Sequence, residues 1–241
     1  MTFEAAACSA KGIRELNEDS FIISSVINKM AGVYSEESLS GNDEKMSFFA
    51  VADGMGGQGS GEKASNLVVS RLKTVAETKT SITENELKEE IESIHNSIID
   101  THTQMGSTLS GIIFQKEQCA VVNLGDSRTY RLRGDMFLKM TNDDSLKRYD
   151  SAAASNIITN GIGGGLTGIS VNCRFSDKIV MPGDIFLMCS DGIHGFVSDE
   201  EIEVSLMSSA SVKEIAANIV QKAISNHTDD NCTAVVVKIK E

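Results

Sequence analysis

The chain has 241 residues, 22 basic and 34 acidic side chains and a net charge of −12, a balance that repels nucleic-acid backbone and anionic membranes and disfavours both as partners. It has a single proline and no low-complexity tract, so one domain over residues 1–241 is expected, long enough to bury a substantial core. Five cysteines, Cys8, Cys119, Cys173, Cys189 and Cys232, show no C-x-x-C spacing; with no signal-like N-terminus and no run of 18 apolar residues, they read as reduced core residues of a cytoplasmic protein.

Phe3–Cys8 reads as an opening strand, and Phe21–Ile27, rich in β-branched residues, as a better one. The polar, serine-rich segment 28–46 is expected to be a long exposed loop. The most informative stretch is FFAVADGMGGQGSG, Phe48–Gly61. Its apolar run reads as a buried strand that delivers Asp53 to the end of a stiff element. The glycines that follow let backbone approach whatever that carboxylate holds. Gly56 and Gly61 have the separation of a nucleotide-binding P-loop, but the next residue is Glu62 where that motif needs Lys, and Lys63 is followed by Ala64.

Ala64, Leu67, Val68, Leu72, Val75 and Ala76 then recur at helical spacing. A second helix begins at Thr83, whose pairing with Glu86 is a capping box, and carries Leu87, Ile91, Ile94 and Ile98 on one stripe. His95 and His102 have no acidic or cysteine partner at ligand spacing and read as surface or packing residues. Strands are expected at Thr108–Phe114, Cys119–Leu124, Thr129–Arg133 and Met136–Met140, the last two joined at Gly134-Asp135. Residues 141–168 read as a surface loop or short helix. Strands return at Val171–Phe175, Lys178–Met181 and Ile185–Cys189; helices start at Ser198 with Glu201 and at Ser211 with Glu214, and Thr233–Ile239 closes the chain as a strand. Strand clusters alternate with helix pairs, which suits sheets with helices packed outside better than a doubly wound parallel fold.

Five aspartates share a position relative to an apolar strand. Asp53, Asp126 and Asp191 follow the C-terminal ends of FFAVA, AVVNLG and IFLMCS, whereas Asp19 and Asp230 precede FIIS and CTAVVV. In antiparallel sheets the end of one strand lies beside the start of its neighbour, so all five can meet along one edge. Carboxylates so close repel by several kcal/mol and need compensation. An oxygen-rich, thiol-free cluster selects a hard cation, Mg²⁺ or Mn²⁺.

Six motifs occur in order: residues Arg14 to Asp19, Asp53-Gly-Met-Gly-Gly57, Gly106-Ser-Thr108, Gly125-Asp-Ser-Arg128, Cys189-Ser-Asp-Gly192 and Asp230-Asn231. Together they resemble the signature of the metal-dependent type 2C protein serine/threonine phosphatases, in their bacterial form. The resemblance implies an α+β fold, a four-layer αββα sandwich with two central antiparallel sheets flanked by helix pairs. It implies two ions, with a third held in part by Asp126, and hydrolysis of phosphoserine and phosphothreonine by direct attack of a water bridging the two metals. Asp53 would bridge them, the Gly54 carbonyl would be a ligand, Asp191 and Asp230 would complete the pair, and Asp19 would act through water beside Glu18. Arg14 would grip the phosphate bidentately. Thr108 and Asn231 are supporting residues, more structural than catalytic. Phosphorylated proteins, expectedly those of a cognate Ser/Thr kinase, would be the substrates of a monomer; the alternative is a catalytically silent family member serving as a binding or regulatory module.

Two positions depart from the eukaryotic pattern. Met55 stands where a histidine general acid is expected, and a thioether donates no proton; His194 is the candidate substitute. Gly195 replaces a further aspartate, and the flap corresponding to residues 142–168 is short and glycine-rich.

Overall fold

Apolar side chains fill both faces of the central strands, so each strand needs two covers, one from a second sheet and one from helices. The computed structural model describes residues 2–28, 34–42, 45–56, 60–101, 104–116, 118–147, 156–176 and 180–240. In chain order the strands are β1 (Thr2–Ala10), β2 (Ser20–Ser24), β3 (Val26–Ile27), β4 (Tyr34–Asn42), β5 (Ser47–Ala52), β6 (Gly54–Met55), β7 (Gly106–Ser107), β8 (Leu109–Gln115), β9 (Gln118–Leu124), β10 (Arg128–Arg133), β11 (Met136–Lys139), β12 (Ser145–Lys147), β13 (Asn156–Ile158), β14 (Ile162–Gly163), β15 (Asn172–Ser176), β16 (Ile185–Cys189) and β17 (Cys232–Ile239). The helices are α1 (Ser60–Thr78), α2 (Glu84–Ile99), α3 (Asp191–His194), α4 (Asp199–Leu206) and α5 (Val212–Ser225).

One six-stranded sheet runs β11-β10-β16-β17-β1-β4 and the other β15-β9-β8-β5-β2-β3, with every pairing antiparallel. Strand alternation divides the apolar side chains. On β5, Phe48, Ala50 and Ala52 pack toward α1 and α2 with Val68, Leu72, Ile91 and Ile94, whereas Phe49 and Val51 face the other sheet. The second sheet turns Ala6, Leu187 and Val236 to Ile202, Ile215 and Ile219 of α4 and α5. This is the four-layer αββα sandwich expected from sequence.

Between the sheets, Phe114 joins Phe49 of its own sheet to Phe3 and Phe186 of the other, at centroid distances of 5.4, 6.1 and 6.2 Å. The capping boxes at Thr83, Ser198 and Ser211 all form. Each satisfies two of the N–H groups that a helix start leaves without partners.

Four expectations need correction. Phe21–Ile27 is not one strand but a tight hairpin, β2 pairing β3 through Ile22 with Ile27 and Ile23 with Val26, with Ser24 in the left-handed region. Segment 28–46 is not wholly loop: β4 pairs with β1 over nine positions, from Thr2 with Asn42 to Ala10 with Tyr34. Its serines and glutamates carry no strand pattern, because an edge strand is held by main-chain bonds and charged side chains suit an edge. Residues 141–168 contain β12, β13 and β14. The strand expected at Lys178–Met181 falls partly outside the described residues, and Val180 and Met181 are not in a strand. His102 also lies outside them.

Phe114→Ala removes the ring shared by both sheets and is expected to cost about 3–5 kcal/mol of unfolding free energy, read as a lower urea midpoint at unchanged m-value. Thr83→Ala, which removes one capping hydroxyl, is expected to cost about 1 kcal/mol.

Candidate active site

The expected gathering of carboxylates occurs at one end of the sandwich. β2 and β5 pair Ser20 with Ala52, which sets Asp19 beside Asp53. β16 and β17 pair Cys189 with Ala234, which brings the Asp191 and Asp230 ends together. Burial, and then the charges of Asp19, Asp191, Asp230 and Asp126, hold the carboxyl of Asp53 well above its usual range. Burial also raises Asp191, with Asp230 adding to it and a hydrogen bond to Asp53 opposing it. Burial raises Asp230, while a backbone hydrogen bond from Asn231 and the charge of Arg14 oppose it. Asp19 is raised to about 7 by burial first, with Asp230 and Asp191 contributing.

Two oxygens in this cluster lack a partner. Oδ1 of Asp19 and Oδ1 of Asp191 are buried with no hydrogen bond. A buried carboxylate oxygen with no donor carries its full desolvation penalty, which a cation relieves. The donor set is all oxygen, as hard divalent cations require. Among the described residues, no three His, Cys, Asp or Glu side chains close in tightly enough to form a ligand shell by themselves. A cation here would complete its shell with solvent, as Mg²⁺ characteristically does.

The supporting residues are ordered by hydrogen bonds to main chain. Thr108 Oγ1 accepts from the Asp53 N–H at 3.0 Å, the Asp53 carbonyl accepts from the Thr108 N–H at 2.9 Å, and Thr108 Oγ1 also meets Ser127 Oγ at 2.7 Å. Thr108 therefore ties the Asp53 and Asp126 loops together. Asn231 is a clamp: its Oδ1 accepts from the Glu18 N–H at 2.8 Å, and its Nδ2 donates to the carbonyls of Lys11 and Leu16. The Glu18 carboxylate accepts from the N–H groups of Gly61 and Glu62, at the positive end of α1. Glu18 thus fixes the helix start behind the glycine loop.

The glycines of that loop serve close packing of backbone on backbone. A side chain on Gly61 would place Cβ 2.6 Å from the Gly54 carbonyl carbon, so the turn closes only with glycine there. Gly54 and Met55 form β6, which joins β7 and β14 in a three-stranded sheet. Gly57 lies outside the described residues.

Arg14 is exposed at the rim, where its Nη2 donates to Asp230 Oδ2 at 2.7 Å and its Nε to the Asp229 carbonyl at 2.7 Å. His194 does not stand in for the missing histidine. Its Nε2 lies 2.9 Å from the Asp126 carbonyl, which can only accept, so that nitrogen carries the proton and donates it to main chain. Desolvation lowers its pKa to about 4, and the neutral ring orients the Asp126 loop. The C-cap residue of α3, Gly195, donates its N–H to the Asp191 carbonyl at 2.8 Å.

Sequence reasoning missed a layer of small hydroxyls beneath the carboxylates. Ser190 Oγ donates to Asp19 Oδ2 at 2.8 Å and accepts from the Thr233 N–H at 3.0 Å. Ser9 and Thr233 hydroxyls meet at 2.7 Å, and Asn17 Nδ2 donates to Ser9. Ser110 and Thr129 bridge the two sheets at 2.9 Å. The only signal was small polar residues at the site ends of otherwise apolar strands.

The family model for protein phosphatase 2C matches residues 36–228. The serine/threonine phosphatase stp of Listeria innocua is 31% identical over 225 residues, covering 82% of this chain and 86% of its own length. The serine/threonine protein phosphatase PstP of Mycobacterium tuberculosis is 30% identical over 208 residues, 79% of this chain but 40% of that protein, so the chain spans less than half of that relative. The crystal structure of the PstP catalytic domain in complex with two manganese ions superposes with a TM-score of 0.76 at 26% identity, covering 100% of both chains. With the motif order and the fold, these similarities establish that the chain belongs to the protein phosphatase 2C family.

Proposed function

We propose that this protein is a metal-dependent phosphatase that hydrolyses phosphoserine and phosphothreonine in protein substrates. The observation that carries this reading is the mutually repelling cluster of Asp53, Asp19, Asp191 and Asp230, whose carboxyls are held above their usual range with Asp126 adding its charge at Asp53, and the unpartnered oxygens on two of them. The residues that would hold two Mn²⁺ or Mg²⁺ ions are Asp53, the Gly54 carbonyl, Asp191 and Asp230, with Asp19 acting through solvent and Asp126 toward a third ion. When bound, the ions act as Lewis acids, lowering the pKa of water and neutralising charge on the phosphoryl oxygens.

The chain's own residues supply position. Arg14 uses one Nη2 hydrogen and its Nε hydrogen on Asp230 and Asp229, leaving N–H groups of the planar guanidinium for two phosphate oxygens. Thr108 and Asn231 fix the Asp53 and Glu18 backbones, and Ser190 fixes Asp19. The leaving-group proton comes from solvent, because Met55 donates none and the His194 proton is committed to Asp126.

Residues 1–241 act as one domain, a reading supported by the eight-residue register between β1 and β17. The phosphoproteins of a cognate Ser/Thr kinase are the substrates, and the working form is a monomer. Five free, buried cysteines fit a reducing cytoplasm. Among the described residues, no helix is long and apolar enough to cross a membrane.

Hydrolysis of an aryl phosphate and of a phosphothreonine peptide is expected with Mn²⁺ and is expected to vanish with chelator; Asp53→Asn is expected to lower kcat/KM by at least about 10²-fold. Activity indifferent to chelation would sink the metal-dependent reading, and no turnover with Mn²⁺ would favour a silent module. Ser190→Ala, which strips the donor from Asp19, is expected to weaken Mn²⁺ affinity by about 10-fold, read by metal titration. In chelator, the folded pKa of Asp19, about 7 against an ordinary 3.8, means the native state binds the extra proton. Its contribution to stability is therefore complete below about pH 4 and lost as pH rises through about 7. Thermal melts in chelator should show Tm falling across that window, with a shallower fall in Asp19→Asn and a reversal on adding Mn²⁺.

A further inference from the structure

A cavity lies beside the segments that carry Arg14 and Asp230. It has a volume of about 530 Å³ and is lined by Ala10 at the end of β1, by Lys11, Gly12 and Ile13 of the loop after it, and by Ile224, His227 and Thr228 from the end of α5 and the turn beyond it. Its lining is largely apolar, and Ile13 holds its side chain 78% exposed at the mouth. Leu16 is a further exposed apolar residue on the same loop, at 40%. Two apolar residues in solvent on either side of Arg14 are not explained by packing, since neither belongs to the core clusters.

The two walls of this cavity are the two segments that build the phosphate end of the site. Ile13 is followed at once by Arg14, and Thr228 is followed by Asp229 and Asp230. The segments are tied by the bonds from Arg14 to the Asp229 carbonyl and the Asp230 carboxylate. The turn is also fixed: Gly12 and His227 both have left-handed backbone, at φ 59° and 62°. A side chain on Gly12 would run into the Asp230 carbonyl, so the loop lies directly on the strand start that carries Asp230.

We propose that this cavity is a specificity subsite for the peptide substrate, receiving a bulky aliphatic or aromatic side chain one to three residues from the phosphorylated one. This rests on the phosphatase reading above. An extended peptide advances about 3.4 Å per residue, so a chain whose phosphate lies against Arg14 passes over the mouth at Ile13 within that interval. The occupant is apolar because the lining is largely so: Lys11 within it turns its Nζ to the Arg14 carbonyl at 3.0 Å, and Asp229 and Asp230 on the adjoining segment repel an acidic side chain.

The test is a set of phosphothreonine peptides that differ only by Leu, Ser or Asp at one of three positions on either side of the phosphothreonine. With Mn²⁺, Leu at one position is expected to raise kcat/KM about tenfold over Ser, mostly through KM, with Asp below Ser. Ile13→Ser, at an exposed position that leaves the core intact, is expected to collapse the Leu-to-Ser ratio toward one, and Ile13→Trp, which obstructs the mouth, to do the same; the ratio within each variant cancels any general change in activity. Equal kcat/KM for all peptides, or a Leu preference that survives both substitutions, overturns the subsite. Fluorescence-anisotropy binding of the same peptides separates the two readings: Leu-selective binding without turnover supports the subsite and removes the phosphatase reading, and unselective binding overturns the subsite whatever the turnover.

Discussion

The repulsion among Asp53, Asp19, Asp191, Asp230 and Asp126 is the constraint on which the rest of the structure depends. Carboxylates gathered in a partly buried site repel one another, and the charges of four other aspartates act on Asp53. A fold that carries this cluster must hold it by stronger means, and the aromatic contact of Phe3, Phe49, Phe114 and Phe186 between the sheets is the kind of apolar burial that can offset it. The same sandwich is therefore apolar along its body and charged at one end. Stability is sacrificed locally where chemistry needs it, the usual relation between an active site and its scaffold.

Between body and end lies the hydroxyl layer. Ser9, Thr233, Ser190, Thr108, Ser127, Ser110 and Thr129 pair with one another or with the carboxylates. They provide a transition from apolar core to charge in which the hydroxyls themselves are paired. Ser190 shows how tightly the parts are coupled. It stands at the N-cap of α3, yet its side chain makes no capping bond to that helix, because its hydroxyl is committed to Asp19 and to the Thr233 N–H. Asn231 works in the same way on the other side, holding the loop that carries Arg14 and Glu18 to the strand that begins after Asp230.

Met55 acquires a structural account. Its Cε lies against the flap, where Cβ atoms built on Gly161 and Gly164 would stand 3.4 and 3.8 Å away, while its backbone pairs with Gly106. β14 pairs with the other side of Gly106 and Ser107, and the Gly163 N–H donates to His95 Nδ1 of α2 at 3.0 Å. The position that carries a proton donor in the eukaryotic pattern is here an apolar contact between the loop after Asp53 and the flap. His95 is the packing residue its spacing suggested, with burial holding its pKa down.

Much of this was legible in the sequence, and for local reasons. The helix starts at Thr83, Ser198 and Ser211 were readable because capping is a contact between residues three apart. Ile185–Cys189 and Thr233–Ile239 were readable because strands buried on both faces are largely apolar. The five aspartates were found because a carboxylate at a strand end is a local pattern and antiparallel pairing is a general rule. What tertiary structure alone decided depends on partners far along the chain. β4 is a strand because β1 offers it nine positions of main chain, not because its own residues favour one. Arg14 lies on Asp230 across 216 positions of sequence, and Ser190 on Asp19 across 171. Residue type and spacing determined which groups this protein could bring to its site. Only the folded sheets decided which of them touch, because hydrogen bonds and charge repulsion act over a few ångströms of space whatever the distance along the chain.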